Sequence, residues 1–138
     1  MTASAAKRLY LGDHALATPN KAAIVNARTG EALSYAELDR RSRRLAHVLH
    51  AAGLQPGDHM ALLMENQLRY LEVVWAAFRS GLYITAVNRF LTPDEAAYIV
   101  VDCGAKALVS SVAMAETAGP LAGLVPQCDL RLMCRSHR

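Results

Sequence analysis

Trp75-Ala-Ala-Phe-Arg-Ser-Gly-Leu-Tyr-Ile-Thr-Ala-Val-Asn-Arg-Phe-Leu-Thr-Pro-Asp-Glu-Ala-Ala-Tyr-Ile-Val-Val-Asp-Cys-Gly-Ala-Lys-Ala-Leu-Val109 reads as helix, glycine stop, strand, capped helix, glycine stop, strand. Gly81 ends the first helix, because glycine takes the left-handed conformation at no steric cost. Tyr83–Val87 is β-branched and predicts a strand. Thr92-Pro93-Asp94-Glu95 is the best helix start in the chain: threonine at the cap, proline in the first turn, glutamate three residues on. That helix ends near Asp102-Cys103-Gly104, and Lys106–Val109 predicts the next strand. A helix of crossover length between two strands implies parallel pairing and a right-handed connection.

The pattern continues on both sides. Upstream, the second of two strong helices runs from about Asn66 to Ser80, with Leu68, Leu71, Trp75 and Phe78 as its apolar stripe, widened by Val73, Val74, Ala76 and Ala77. Met60–Met64 before it is fully apolar, as in a strand buried on both faces. Ser34-Tyr-Ala-Glu37 is a capping box opening the first strong helix, where Leu38, Leu45, Val48, Leu49 and Ala52 recur until Gly53 stops it. Further upstream come a short helix over Leu9–Ala17, a strand at Ala22–Asn26, a turn at Arg28-Thr29-Gly30 and a returning strand at Glu31–Leu33. Downstream, a helix is expected to reach Ala118 and stop at Gly119-Pro120, with a strand beginning at Leu130–Met133. Strands alternating with helices predict an α/β fold built on a parallel sheet with covering helices. There is no internal repeat, low-complexity segment or linker.

Composition narrows the classes. The chain has 138 residues, 53% of them hydrophobic and 20% charged, which suits a folded domain. Its formal charge of +3 is concentrated at the end, in Arg131, Arg135 and Arg138. No nucleic-acid or membrane partner follows from net charge. No apolar run approaches a membrane span, and Gly12-Asp13-His14 interrupts the only short run behind Lys7-Arg8. Cys103, Cys128 and Cys134 are odd in number and form no CxxC pair, so free thiols in the cytoplasm are expected.

Two segments carry a family resemblance. Leu33-Ser-Tyr-Ala-Glu-Leu38 followed by Arg41-Ser-Arg-Arg-Leu-Ala46 is one. Gly81-Leu-Tyr-Ile-Thr-Ala-Val-Asn-Arg89 with Leu91-Thr-Pro-Asp-Glu95 is the other. Gly57-Asp58 before Met60–Met64, then Glu65-Asn66, and Asp102-Cys-Gly-Ala-Lys106 before Leu108-Val109 add further matches in order. Together they resemble the N-terminal region of the adenylate-forming (AMP-binding) superfamily over about residues 9–128, above all the acyl-CoA synthetases and fatty-acid–CoA ligases. The resemblance implies a partial N-terminal subdomain over 9–133, a disordered start over 1–8 and a tail outside the family over 134–138. It implies that the complete enzyme joins a carboxylic acid, most closely a fatty acid, to ATP as an acyl-adenylate. Mg²⁺ would shield the phosphates, and the acyl group would pass to CoA. A peptide-synthetase-type adenylation domain shares both core segments. The alternative of a different class is a stand-alone, non-catalytic α/β binding module.

The family's Ser/Thr/Gly-rich phosphate loop, its adenine and ribose motifs and its C-terminal lysine have no counterpart in these 138 residues, and neither GxxxxGK[ST] nor GxGxxG occurs. The expectation is a chain truncated before the catalytic motifs, its last ten residues leaving the family's reading frame. It would carry no catalytic residue, hold no metal, and bind none of ATP, Mg²⁺ or CoA tightly by itself. Unpaired sheet edges would favour self-association. Asn88 and Arg89 are the binding candidates, because they end a parallel strand, where ligands of open α/β sheets bind, and a guanidinium there meets a phosphate of CoA. The competing reading is a turn cap and a solvated charge. Arg40-Arg41-Ser42-Arg43-Arg44 is the densest basic run, expected as a solvated helix face spread around a turn rather than one patch. His47 and His50 share a helix face but lack further ligands at metal-binding spacing.

Overall fold

The computed structural model describes residues 10–135; the expected disordered start at 1–8 and the last three residues of the 134–138 tail lie outside the described residues. Ser34 caps α2 (Tyr35–Ala51) through a complete capping box with Glu37, which follows α1 (Leu11–Ala17) and the strands β1 (Ala22–Val25) and β2 (Ala32–Ser34). β1 and β2 form an antiparallel hairpin, with Ile24 opposite Leu33. Then β3 (His59–Leu63), α3 (Leu68–Arg79), β4 (Tyr83–Ala86), α4 (Pro93–Asp102), β5 (Ala105–Ser111), α5 (Ala115–Leu124) and β6 (Leu130–Cys134) alternate as expected.

The four later strands make one parallel sheet in the order β4-β3-β5-β6. Met60 of β3 lies beside Ile84 of β4 and Ala107 of β5, and Leu132 of β6 lies beside Val109. Strand alternation sends Met60 and Leu62 toward α2 and α3, where Leu49, Val73, Ala76 and Ala77 meet them. Ala61 and Leu63 point the other way, into a core with Ala96 and Val100 of α4 and Leu121 of α5. A register shift at the start of β5 places Ala105 and Ala107 on opposite faces, which is the effect of a bulge. A smaller core of Leu11, Leu33 and Leu38, with Trp75 against it, joins α1 and the hairpin to the outside of α2 and α3.

Several expectations need correction. β4 is an edge of the sheet in this chain, and Tyr83 is 63% exposed. The reason is topological, since α4 carries the chain back across β3 to reach β5. Of the apolar residues of α3, the stripe Leu68, Leu71, Trp75 and Phe78 lies on the outer side, with Leu71 39% and Phe78 54% exposed. The buried face is Val73, Ala76 and Ala77, whose small side chains let the helix approach the sheet closely. Val48 of α2 and its C-cap Ala52 are exposed, whereas Leu38, Ser42 and Leu49 are buried. α5 runs through Gly119-Pro120 to Leu124, because burial of Ala118 and Leu121 outweighs one missing backbone donor. β6 includes Cys134, paired with Ser111.

Gly81 shows how tightly one turn is built. Its φ is +69°, and an added Cβ would lie 3.1 Å from Cβ of Pro56. The Gly57 N–H donates to the Gly81 carbonyl at 2.8 Å, so the turns before β3 and β4 hold each other.

Candidate functional site

β3 continues into α3 on one face of the sheet, and β5 continues toward α5 on the other. The carboxyl ends of these two neighbouring strands therefore diverge, which opens a crevice of the kind where doubly wound sheets bind ligands. Glu65 bridges it. Its Oε2 accepts from Ser111 Oγ at the end of β5, and its Oε1 accepts from Gln67 Nε2 at 2.7 Å. Ser111 is buried, so this carboxylate is tied to the sheet rather than free in solvent.

On the other side of Glu65 a pocket opens against the hairpin turn, with no residue of β5 in its lining. Asn26 Oδ1 accepts from the Arg28 and Thr29 N–H groups at 3.0 and 3.3 Å, and Thr29 Oγ1 donates to Glu31 at 3.2 Å. With Glu65, Asn66 and Arg69 opposite, these residues enclose about 190 Å³. Amides, carboxylates and guanidinium groups line it, a set suited to orienting a polar group.

Asn88 and Arg89 lie beyond the carboxyl end of β4, on the same edge of the sheet but outside the lining of this crevice. Asn88 Oδ1 accepts from the Phe90 N–H at 2.9 Å, closing a turn. The Arg89 guanidinium stands 4.5 Å from the Phe90 ring centroid, and Phe90 is 80% exposed. His47 and His50 are exposed, and no group of three metal-ligating side chains occurs among the described residues. Burial pushes the Cys128 thiol up to about 11 and raises that of Cys134, so neither is a thiolate at neutral pH.

The four arginines of the basic run do not behave alike. Arg43 turns to Asp39 at 2.9 Å, while Arg40, Arg41 and Arg44 line one groove beside Leu45 and Val48. The crevice residues Asn26, Glu65 and Gln67 were not legible as a site. An abrupt polar run after the apolar strand Met60–Met64 marks a strand's end, but not which strand lies next to it.

The profile of the AMP-binding enzyme family matches residues 11–132. The chain belongs to the AMP-binding enzyme family. A feruloyl-CoA synthase from an Amycolatopsis species is 42% identical over 93 residues, which is 67% of this chain and 19% of that protein. The fatty acid–[acyl-carrier-protein] ligase ScoC of Streptomyces coeruleorubidus is 36% identical over 97 residues, 70% of this chain and 18% of that protein. A fatty acyl CoA synthetase of Mycobacterium tuberculosis has the same fold over 90% of this chain and 25% of its own, with a TM-score of 0.77 at 24% identity. The matched stretch spans less than a fifth of these two curated relatives. The AMP-binding match confirms the resemblance carried by Leu33–Leu38 and Gly81–Glu95. It runs from the first residue of α1 into β6, and so takes in both the crevice and the Asn88-Arg89 turn.

Proposed function

We propose that this chain is the amino-terminal portion of an ATP-dependent acid–thiol ligase of the cytoplasm, which activates a fatty or aryl carboxylic acid as its acyl-adenylate and transfers the acyl group to CoA. The observation that carries this reading is the AMP-binding match over residues 11–132 on a sheet whose strand ends open into a polar crevice. The named relatives, a feruloyl-CoA synthase and a fatty-acid ligase, support the substrate class.

The residues of this chain do not fit the ATP triphosphate or its Mg²⁺. The sequence holds no GxxxxGK[ST] loop, and Lys106 is paired with Asp58 at 2.7 Å near the amino ends of β3 and β5, away from the crevice. Those groups belong, in this proposal, to the remainder of the ligase. The Asn88-Arg89 turn fits CoA better. An exposed guanidinium beside an exposed ring suits a nucleotide's phosphate and base, and Asn88 holds both in place through the turn. The role of this chain is to supply part of the sheet and the walls from which those loops project.

The 138-residue chain alone, assayed with fatty and hydroxycinnamic acids, is expected to give no acid-dependent ATP–pyrophosphate exchange. The same chain joined to the remainder of a homologous ligase is expected to give it. Exchange from the chain alone, or none from the joined protein, overturns the reading. The ScoC match favours a second acceptor, the thiol of a carrier protein. Thioester assays of the joined protein with CoA and with carrier protein separate the two. We also propose that the isolated chain self-associates through its sheet edges, β4 and β6.

A further inference from the structure

On α2, Arg40, Arg44 and Val48 follow one another a turn apart, in a row beside the buried stripe of Leu38, Ser42 and Leu49. All three members of the row are exposed. With Arg41 they wall an open groove of about 470 Å³, closed on its far side by Arg69 and Glu72 of α3 and Cys134 at the end of β6. Arg41 and Arg43 of the same run have carboxylate partners in Glu37 and Asp39. Among the described residues, neither Arg40 nor Arg44 has a carboxylate within ion-pair distance.

We propose that this groove docks an acidic amphipathic helix of a separate protein. Two guanidinium groups four residues apart on a helix stand about 6 Å from each other at their Cβ atoms, the spacing at which a second helix presents carboxylates at i and i+4. Leu45 and Val48 give that helix an apolar floor, so its acidic row meets the arginines while its apolar row is covered. A bilayer surface does not fit, because the arginines line a concavity. The proposal rests on this charge pattern and not on the ligase reading.

The test uses the full chain and a fluorescent Leu/Ala helical peptide of about 15 residues with glutamates at i and i+4, long enough to be helical. A glutamine version of the peptide and vesicles of phosphatidylcholine with phosphatidylglycerol are the comparison probes. The glutamate peptide is expected to bind more weakly as salt rises. The double variant Arg40→Gln, Arg44→Gln is expected to lose about tenfold in affinity, the scale of two partly exposed ion pairs. Lys21→Gln with Arg43→Gln removes the same charge elsewhere and is expected to leave binding unchanged. The peptide is also expected to slow alkylation of Cys134 by iodoacetamide at alkaline pH, where the thiolate forms, in the unsubstituted chain, read by mass spectrometry, which needs no variant to fold. Equal binding of the glutamine peptide, equal loss in both double variants, binding that leaves Cys134 unprotected, or vesicle binding through Arg40 and Arg44 in place of the peptide would each overturn the proposal.

Discussion

Asp39 is where α1, α2 and α3 are held to one another. Its carboxylate lies 2.6 Å from Arg79 on α3 and 2.9 Å from Arg43 on its own helix, and the Arg79 guanidinium sits 5.7 Å from the Tyr10 ring centroid. Both Asp39 and Arg79 side chains are only 11% exposed, so removing one partner strands the other's charge away from water. Asp39→Ala is expected to cost about 3 kcal/mol in urea unfolding, and Asp39→Ala with Arg79→Met to recover much of it. Equal loss in both variants would mean the charge pair is not what holds the helices. Asp58 acts differently. The Gln55 N–H and the Lys106 ammonium hold its carboxyl below the ordinary aspartate value. That contribution is complete above the unfolded value of about 3.9 and is lost as pH falls through the lower folded value. The stability gap between the unsubstituted chain and Asp58→Asn should therefore be constant near neutrality and shrink below about pH 4. A gap independent of pH would show that the carboxylate's charge is not involved.

The best-read element is α4. Thr92 Oγ1 accepts from the Glu95 N–H at 3.4 Å, and Glu95 returns a bond from the Thr92 N–H at 2.9 Å, so the capping box foreseen from four residues is complete. Thr92→Ala is expected to cost about 1 kcal/mol, read from the shift of the urea midpoint. No shift would mean that proline at the first turn already fixes the helix start. α3 shows what local periodicity misses. Both Leu68/Leu71/Trp75/Phe78 and Val73/Ala76/Ala77 have helical spacing, and spacing alone does not rank them. The sheet selected the smaller set, while Trp75 packs edge-on to Tyr10 and Phe78 at 5.8 Å on the outer side. α5 misleads through its Gly119-Pro120, because a breaker acts on one backbone bond whereas two buried apolar residues act on the whole turn.

At the scale of the molecule, the strand order leaves β4 and β6 as edges, with Tyr83 63% and Met133 49% exposed on them. Sedimentation of the isolated chain is expected to show concentration-dependent association, reduced by Tyr83→Lys with Met133→Lys, since an edge lysine resists strand pairing. A monodisperse monomer at every concentration would remove the proposed self-association. The same order creates the crevice: only because β3 and β5 are neighbours do Glu65 and Ser111 meet across 46 positions of sequence.

The amino-acid sequence by itself determined the alternation of strands and helices, the two capping boxes, the hairpin and the family. Each of these rests on residues within a few positions of one another: Ser34 with Glu37, Thr92 with Glu95, the apolar run of Met60–Met64. Tertiary structure alone decided which strands are neighbours, which face of α3 is buried, and that Asp39 reaches Arg79. Those outcomes depend on helices crossing from one strand to a distant one, and on competition between whole faces for the same sheet. No local spacing encodes that competition, so the crevice at Glu65 emerged only when the sheet was assembled.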